Sequence, residues 1–281
     1  MVRRAGFEFN GLSWDYAEWG QGSSVLLCLH GFGRSPEDFV EFTASLPDRY
    51  RMVAPSLFFH GASSVGSRLS AEEPLRTAEW EAFLRAFIAH LGVEQVSLLG
   101  YSLGGRLAIS ALQLIPEKIE RAWLFAPDGL LANKWYKFLT QSRFGRSVFR
   151  WFIRHDAWYF KLLGGARRIG LVSAKLHDFI RSQIATREQQ WQIYHTWTFL
   201  RLMKLDRPRL RKVLRAHALP IDLYVGRHDR VIKPHFSRRL SALSHQVTAH
   251  TLETGHGMLT KDVGETVFKR VEQVVDNRQS D

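Results

Sequence analysis

The sequence predicts an α/β fold: a mostly parallel, doubly wound sheet with a helical cap inserted after the sixth strand. Three observations carry this. Short apolar runs that read as strands alternate with helical patterns from residue 24 to 128, and again from Pro220. Between them, over residues 130 to about 215, the segments are helical and rich in arginine and aromatics, with no convincing strand. Finally, three predicted strand ends carry serine, aspartate and histidine in glycine-rich surroundings, where a doubly wound sheet places its chemistry.

The elements follow in order. Residues 1 to 20 alternate in "FEFNGLSWDYAEW", predicting a hairpin bent at Asn10-Gly11. "SVLLCLHGF" (24–32) is a continuous apolar run, as expected of a strand buried on both faces. "SPEDFVEFTASL" (35–46) opens with a serine cap, a proline and acids, the signature of a helix start. "YRMVAPSLF" (50–58) predicts a strand, and residues 73–92 a long amphipathic helix ending at Gly92. The strand "QVSLLG", a helix after Ser102 and the strand at 119–127 complete the first part. After the insertion come the strand "PIDLYVG", the helix "KPHFSRRLSAL", the strand "QVTAHTL" and a last helix over about 262–277. The implied domains are residues 1–128 and 216–281 for the core, and 129–215 for the cap.

Composition narrows the class. With 281 residues, 45% of them hydrophobic, the chain can bury one sizeable core. No run approaches the ~18 apolar residues of a spanning helix. The start "MVRRAGFEFNGLSWDY" lacks the apolar region of a secretory signal. A single cysteine, Cys28, excludes a disulfide framework, and its apolar setting predicts an inert buried thiol. A cytoplasmic location is the expectation. The net charge of +12 is segregated: residues 130–215 hold 19 basic and 4 acidic residues, and the remainder is close to neutral. Such segregation suggests an anionic partner for the insertion.

Gly100-Tyr101-Ser102-Leu103-Gly104 matches G-x-S-x-G between a strand and a helix. A turn that tight admits only very small neighbours, and the following helix aims its amides at the corner. His30-Gly31-Phe32-Gly33 closes the first core strand, where the Phe32 amide would face the Leu103 amide as an oxyanion hole. Tyr101 and His30 are assigned to the substrate-binding wall. Among 12 histidines, His256 in "LETGHGMLT" follows the last strand between two glycines and is the base candidate. His60, His228 and His250 fit less well, and His155, His177, His195 and His217 fall in or beside the insertion as surface or capping residues. Asp229 in "YVGRHDRVIKP" is the acid candidate; Asp128, one strand earlier, competes for the same histidine. A helix-capping serine is the bland alternative at Ser102, but it leaves the histidine and acid at two other strand ends unexplained.

"HGFG", "GYSLGG", "GRHDRVIKP" and "GHGM", in this order, resemble the α/β-hydrolase superfamily with a lid between the sixth and seventh strands. The resemblance covers about residues 5–128 and 216–277. It implies a serine hydrolase with Ser102 as nucleophile, His256 as base, Asp229 as acid and the Phe32 and Leu103 amides as oxyanion donors. Relatives with an aspartate nucleophile are disfavoured by the serine at 102. One departure concerns an Asp-x-x-Gly-x-Gly-x-Ser loop of many relatives: Ser56 occupies the aspartate's place, while His60-Gly61 and Ser63 keep the latter part.

The expected reaction is hydrolysis of a carboxylic ester with an apolar acyl or alcohol part, without metal or organic cofactor. Acyl transfer, carbon–carbon bond hydrolysis and a non-catalytic binding protein of the same fold remain open alternatives. The insertion interleaves aromatics with arginines and lysines and holds five of the nine tryptophans. It reads either as amphipathic helices packed on the core or as a surface for anionic membrane. Nucleic acid is disfavoured because no motif supports it.

Overall fold

The computed structural model describes residues 2–68, 72–129, 134–155, 185–236 and 240–268. Its strands are β1 (Arg3–Phe9), β2 (Leu12–Trp19), β3 (Ser24–Leu29), β4 (Tyr50–Pro55), β5 (Val96–Tyr101), β6 (Ile119–Phe125), β7 (Ile221–Gly226) and β8 (Val247–Leu252). They form one sheet in the order β1-β2-β4-β3-β5-β6-β7-β8. β1 and β2 pair antiparallel from Arg3↔Glu18 to Phe9↔Leu12, across a turn in which Asn10 and Gly11 take φ of 51° and 73°. Positive φ at both positions is the geometry that suits a two-residue hairpin between right-twisted strands. β2 joins β4 antiparallel, and every later pairing is parallel.

Helices cover both faces. α1 (Asp38–Phe42), α2 (Thr77–His90) and α3 (Leu103–Leu114) come between strands of the first part. α4 (Lys134–Gln141), α5 (Arg143–Arg154), α6 (Arg187–Phe199) and α7 (Arg207–His217) lie between β6 and β7. Residues 261–268 are again helical. The apolar run of β3 serves two cores at once. Val25, Leu27 and Leu29 face α2 and α3 residues such as Phe83, Phe87 and Leu107, while Leu26 and Cys28 face Phe39, Phe42 and Phe268 on the other side. Cys28 is fully buried, and burial pushes its thiol well above the ordinary range. Phe149, Ile153 and Tyr194 form a third, small cluster between α5 and α6. Among the described residues, no helix is long and apolar enough to cross a membrane.

Several elements are shorter than the sequence predicts. β3 stops at Leu29 and β4 at Pro55 because residues 30–33 and 56–61 turn to build the site described next. The helix expected over 35–46 is reduced to Asp38–Phe42. Its start is a turn, with the Asp38 and Phe39 amides donating to the Ser35 and Pro36 carbonyls at 3.3 and 3.2 Å. α2 begins at Thr77 rather than 73, since Leu75 donates its amide to the Phe199 carbonyl (2.9 Å) and Arg76 is extended. Where a helix is expected over 233–243, residues 234–236 form a single 3-10 turn and 237–239 lie outside the described residues, as does the end of the last helix.

Candidate active site

β5 ends at Tyr101 and α3 begins at Leu103, so the chain reverses on Ser102 alone. Ser102 takes φ 50° and ψ −113°, a region that side-chain-bearing residues rarely enter and that costs of order 1–3 kcal/mol. The surroundings fix it there. Its amide donates to the Phe125 carbonyl (2.9 Å), and its carbonyl accepts from the amides of Asp128 (2.8 Å) and Arg106 (3.2 Å). The glycines admit the turn: a Cβ on Gly104 would lie 1.9 Å from the Leu29 carbonyl oxygen, and one on Gly100 2.8 Å from the Ala108 Cβ. Gly105, the last residue of GYSLGG, is equally constrained, with Pro127 Cβ 2.6 Å from its missing side chain.

The loops after β7 and β8 bring the other two residues in. The His228 amide donates to the Thr254 carbonyl (3.0 Å), and a Cβ on Gly226 would meet the Gly255 oxygen at 2.5 Å, so the two loops run in direct contact. His256 then stands with Nε2 3.2 Å from Ser102 Oγ and Nδ1 2.8 Å from Asp229 Oδ2. The Asp229 side chain is completely buried, and its Oδ1 accepts from the Val231 (2.7 Å) and Ile232 (2.8 Å) amides. A carboxylate so held has one oxygen left, and it faces the imidazole. Tyr101 donates its hydroxyl to the His256 carbonyl at 2.9 Å and packs its ring 5.4 Å from the imidazole. Burial pushes this phenol up to about 12, so it stays a donor at any ordinary pH.

Asp128 is committed elsewhere. It pairs with the buried Arg106 guanidinium and accepts the Gly129 amide at 2.6 Å. Arg106 also donates to the Tyr136 hydroxyl (2.6 Å) and lies over that ring at 4.7 Å. Burial alone would lower the Arg106 pKa, but Asp128 and Tyr136 outweigh it and hold the guanidinium above its ordinary value.

Opposite Ser102 runs the turn Gly31–Arg34, closed by the Arg34 amide on the Gly31 carbonyl (3.3 Å), with Gly33 at φ 67°. It abuts the serine: a Cβ on Gly31 would lie 3.3 Å from Ser102 Cβ and 3.0 Å from the Tyr101 ring. Phe32 sits at the second position of this turn. Leu103 is the first residue of α3, so its amide has no partner within the helix.

His30 corrects the sequence reading. It has no exposed surface and cannot line a pocket. Its Nδ1 sits 2.7 Å from the Gly31 carbonyl, which requires the proton on Nδ1, and Nε2 accepts the Leu57 amide at 3.0 Å. His60 repeats the arrangement, with Nδ1 3.1 Å from the Phe58 carbonyl and Nε2 accepting the Gly33 amide at 3.0 Å. Burial and the neighbouring His60 push the His30 pKa down to about 3, and burial lowers that of His60. Two neutral histidines thus clamp the turn that carries Phe32. The loop with Ser56 in place of aspartate closes without the carboxylate: Ser63 Oγ donates to the Ser56 carbonyl (2.6 Å) and accepts the Asp15 amide (3.0 Å). His228 faces Glu253, His250 bonds Asp222 at 2.9 Å, His155 stacks on Trp151, and His177 lies outside the described residues.

A cavity of about 190 Å³ opens beside the turn, between Phe32, Arg34 and His60 on one side and Gln189 and Gln192 of α6 on the other. A larger concavity of about 350 Å³, among Arg3, Arg4, Arg51 and His90, lies at the β1–β2 edge away from Ser102.

Residues 24–259 match the family described as the alpha/beta hydrolase fold. Among curated proteins, the chain is 26% identical over 242 residues to the uncharacterized hydrolase YugF of Bacillus subtilis, covering 84% of each. Other curated relatives, 28–30% identical, are matched over only 31% of their own length, so the chain spans about a third of them. Among solved structures, a putative lipase from Acinetobacter baumannii AYE superposes with a TM-score of 0.66 at 17% identity, over 100% of this chain and 93% of that one. Naproxen esterase from Bacillus subtilis gives 0.65 at 18% identity, over 98% and 92%. These likenesses show the fold.

Proposed function

The chain belongs to the alpha/beta hydrolase fold family, and from that premise we propose that it cleaves a carboxylic ester through an acyl-enzyme on Ser102. The observation that carries this reading is the continuous chain Ser102 Oγ–His256–Asp229, at 3.2 and 2.8 Å, on a serine held in a strained turn. Asp229 requires a donor at His256 Nδ1, which leaves Nε2 as the acceptor facing the serine hydroxyl. As Oγ attacks the ester carbonyl, its proton passes to Nε2. The carbonyl oxygen becomes an oxyanion held by the Leu103 and Phe32 amides at the α3 N-terminus. The imidazolium returns the proton to the departing alcohol oxygen as the ester C–O bond breaks. Water then attacks the acyl-serine, gives its proton to Nε2, and the acid leaves with Ser102 restored.

Tyr101 acts here as a positioning residue, since its hydroxyl holds the backbone of His256. The helices between β6 and β7 would serve as the cap, with α6 supplying Gln189 and Gln192 to the cavity wall. That cavity is smaller than the ~300–1,000 Å³ of drug-sized ligand sites and is polar, so the group bound beside the oxyanion turn is short or polar. A naproxen esterase and a putative lipase share this fold.

The test is hydrolysis of p-nitrophenyl esters from acetyl to palmitoyl by the native protein and Ser102→Ala. Native turnover should peak at short acyl chains, and the variant should fall by at least about 10⁴-fold. Turnover that survives in Ser102→Ala removes Ser102 as nucleophile. Silence on every ester, with a fluorophosphonate still labelling Ser102, removes the ester while keeping the serine.

A further inference from the structure

α5 divides into three faces. Gly145, Phe149 and Ile153, spaced four apart, are buried against α4 and α6. Arg143, Arg146, Arg150 and Arg154 form a stripe along one flank, at spacings of three and four, and the helix has no acidic residue. On the other flank Phe144 and Trp151, seven residues apart and so two turns up the same face, point outward at 71% and 45% exposure. Phe138 of α4, also exposed, continues the patch with its ring 6.2 Å from Phe144.

Three of the five large hydrophobic residues that are exposed among the described residues therefore sit on this one helical hairpin, beside a row of arginines. Soluble surfaces scatter such residues singly; a contiguous patch flanked by cations marks an interaction face. The core cannot claim it, because α5 already packs through its opposite face. A second copy is a poor occupant as well, since a symmetric contact would bring two arginine stripes together. Aromatics beside cations on one amphipathic helix suit the boundary between anionic headgroups and acyl chains, where rings enter and guanidinium groups meet phosphate.

We propose that the α4–α5 hairpin docks the protein on an anionic lipid surface, with Phe144 and Trp151 entering the interface and Arg143 and Arg154 engaging headgroup phosphates. This goes beyond the ester reading and does not depend on it. Arg146 and Arg150 also hold the fold: Arg146 donates to the Thr140 carbonyl and Arg150 to the Tyr194 hydroxyl, each at 3.1 Å, and Arg150 is paired with Glu72 at 3.0 Å. They are left intact in the test.

The experiment is vesicle co-sedimentation of the full chain with phosphatidylcholine alone and with equal phosphatidylglycerol and phosphatidylcholine. Partitioning to anionic vesicles should exceed that to phosphatidylcholine by at least about tenfold and weaken with salt. Phe144→Ser with Trp151→Ser should weaken it about tenfold or more. Arg143→Gln with Arg154→Gln should weaken it about fivefold for each arginine. Both pairs are exposed, so their unfolding midpoints should match the native protein. Equal binding to both vesicle types, no detectable binding, full binding by either double variant, or preference for a single-stranded oligonucleotide over anionic vesicles overturns the proposal.

Discussion

At the scale of single residues, the two aspartates after β6 and β7 offer the sharpest contrast. Asp229 spends both oxygens on His256 and on two amides, whereas Asp128 spends its own on Arg106 and the Gly129 amide. Asp229→Asn keeps the shape but turns an N–H or a neutral oxygen toward the imidazole and favours the wrong tautomer. Ester turnover should fall by about 10⁴-fold with little change in unfolding. Asp128→Ala should do the reverse, keeping turnover while urea unfolding loses about 3–5 kcal/mol from the stranded, buried Arg106 charge. If Asp128→Ala abolishes turnover and Asp229→Asn does not, the acid has been misassigned. Sequence could rank these residues because chemistry-bearing types at strand ends are few. It could not tell that His30 and His60 are backbone clamps, since a neutral buried histidine and an exposed one are written with the same letter. Their partners, Leu57 and Gly33, lie 27 residues away in each case.

At the scale of elements, the strands were readable from apolar runs and the β1–β2 turn from Asn10-Gly11, both local signals. Helix lengths were not, because tertiary hydrogen bonds trim them, as the Phe199 carbonyl does at Leu75 ahead of α2. The attachment of α4 was equally hidden. Gln141 donates to the Arg201 carbonyl at its far end, and at its near end Tyr136 accepts from Arg106 of α3 and donates to the Trp197 carbonyl of α6 at 3.4 Å. Tyr136→Phe removes both contacts and keeps the ring beneath the guanidinium. We expect a loss of about 1.5–3 kcal/mol, expressed locally, because α4 and α5 share a small cluster separate from the two main cores. Hydrogen exchange should therefore quicken at α4 and α5 amides while those of β3 and β5 keep their native protection. Equal quickening across the sheet would mean that the hairpin unfolds only with the whole molecule.

At the scale of the whole molecule, the buried histidines tie stability to pH. Unfolded, His30 takes up a proton near the ordinary value of about 6.5; folded, it does so only at about 3. Between these values the unfolded chain binds the extra proton. The His30 contribution is therefore complete above pH ~6.5 and falls as pH drops toward 3, by about 1.4 kcal/mol per unit. His60, lowered by its own burial, acts in the same direction. From pH ~6.5 to ~5, His30 alone should remove about 2 kcal/mol. Burial would raise the Glu18 and Asp222 carboxyls, but Arg3 and Arg51 at Glu18, and His250 with Arg121 at Asp222, outweigh it and hold both below their ordinary range, so their own loss is added only below about pH 5. Urea unfolding at about pH 7, 6 and 5 reads the slope directly. His30→Asn should be less stable than the native protein near neutrality, yet lose stability more slowly on acidification, by one histidine's share. An unchanged slope in that variant would place the proton uptake elsewhere. The native slope itself would make the clamp that orders the Gly31–Arg34 turn the part of the fold most exposed to mild acid.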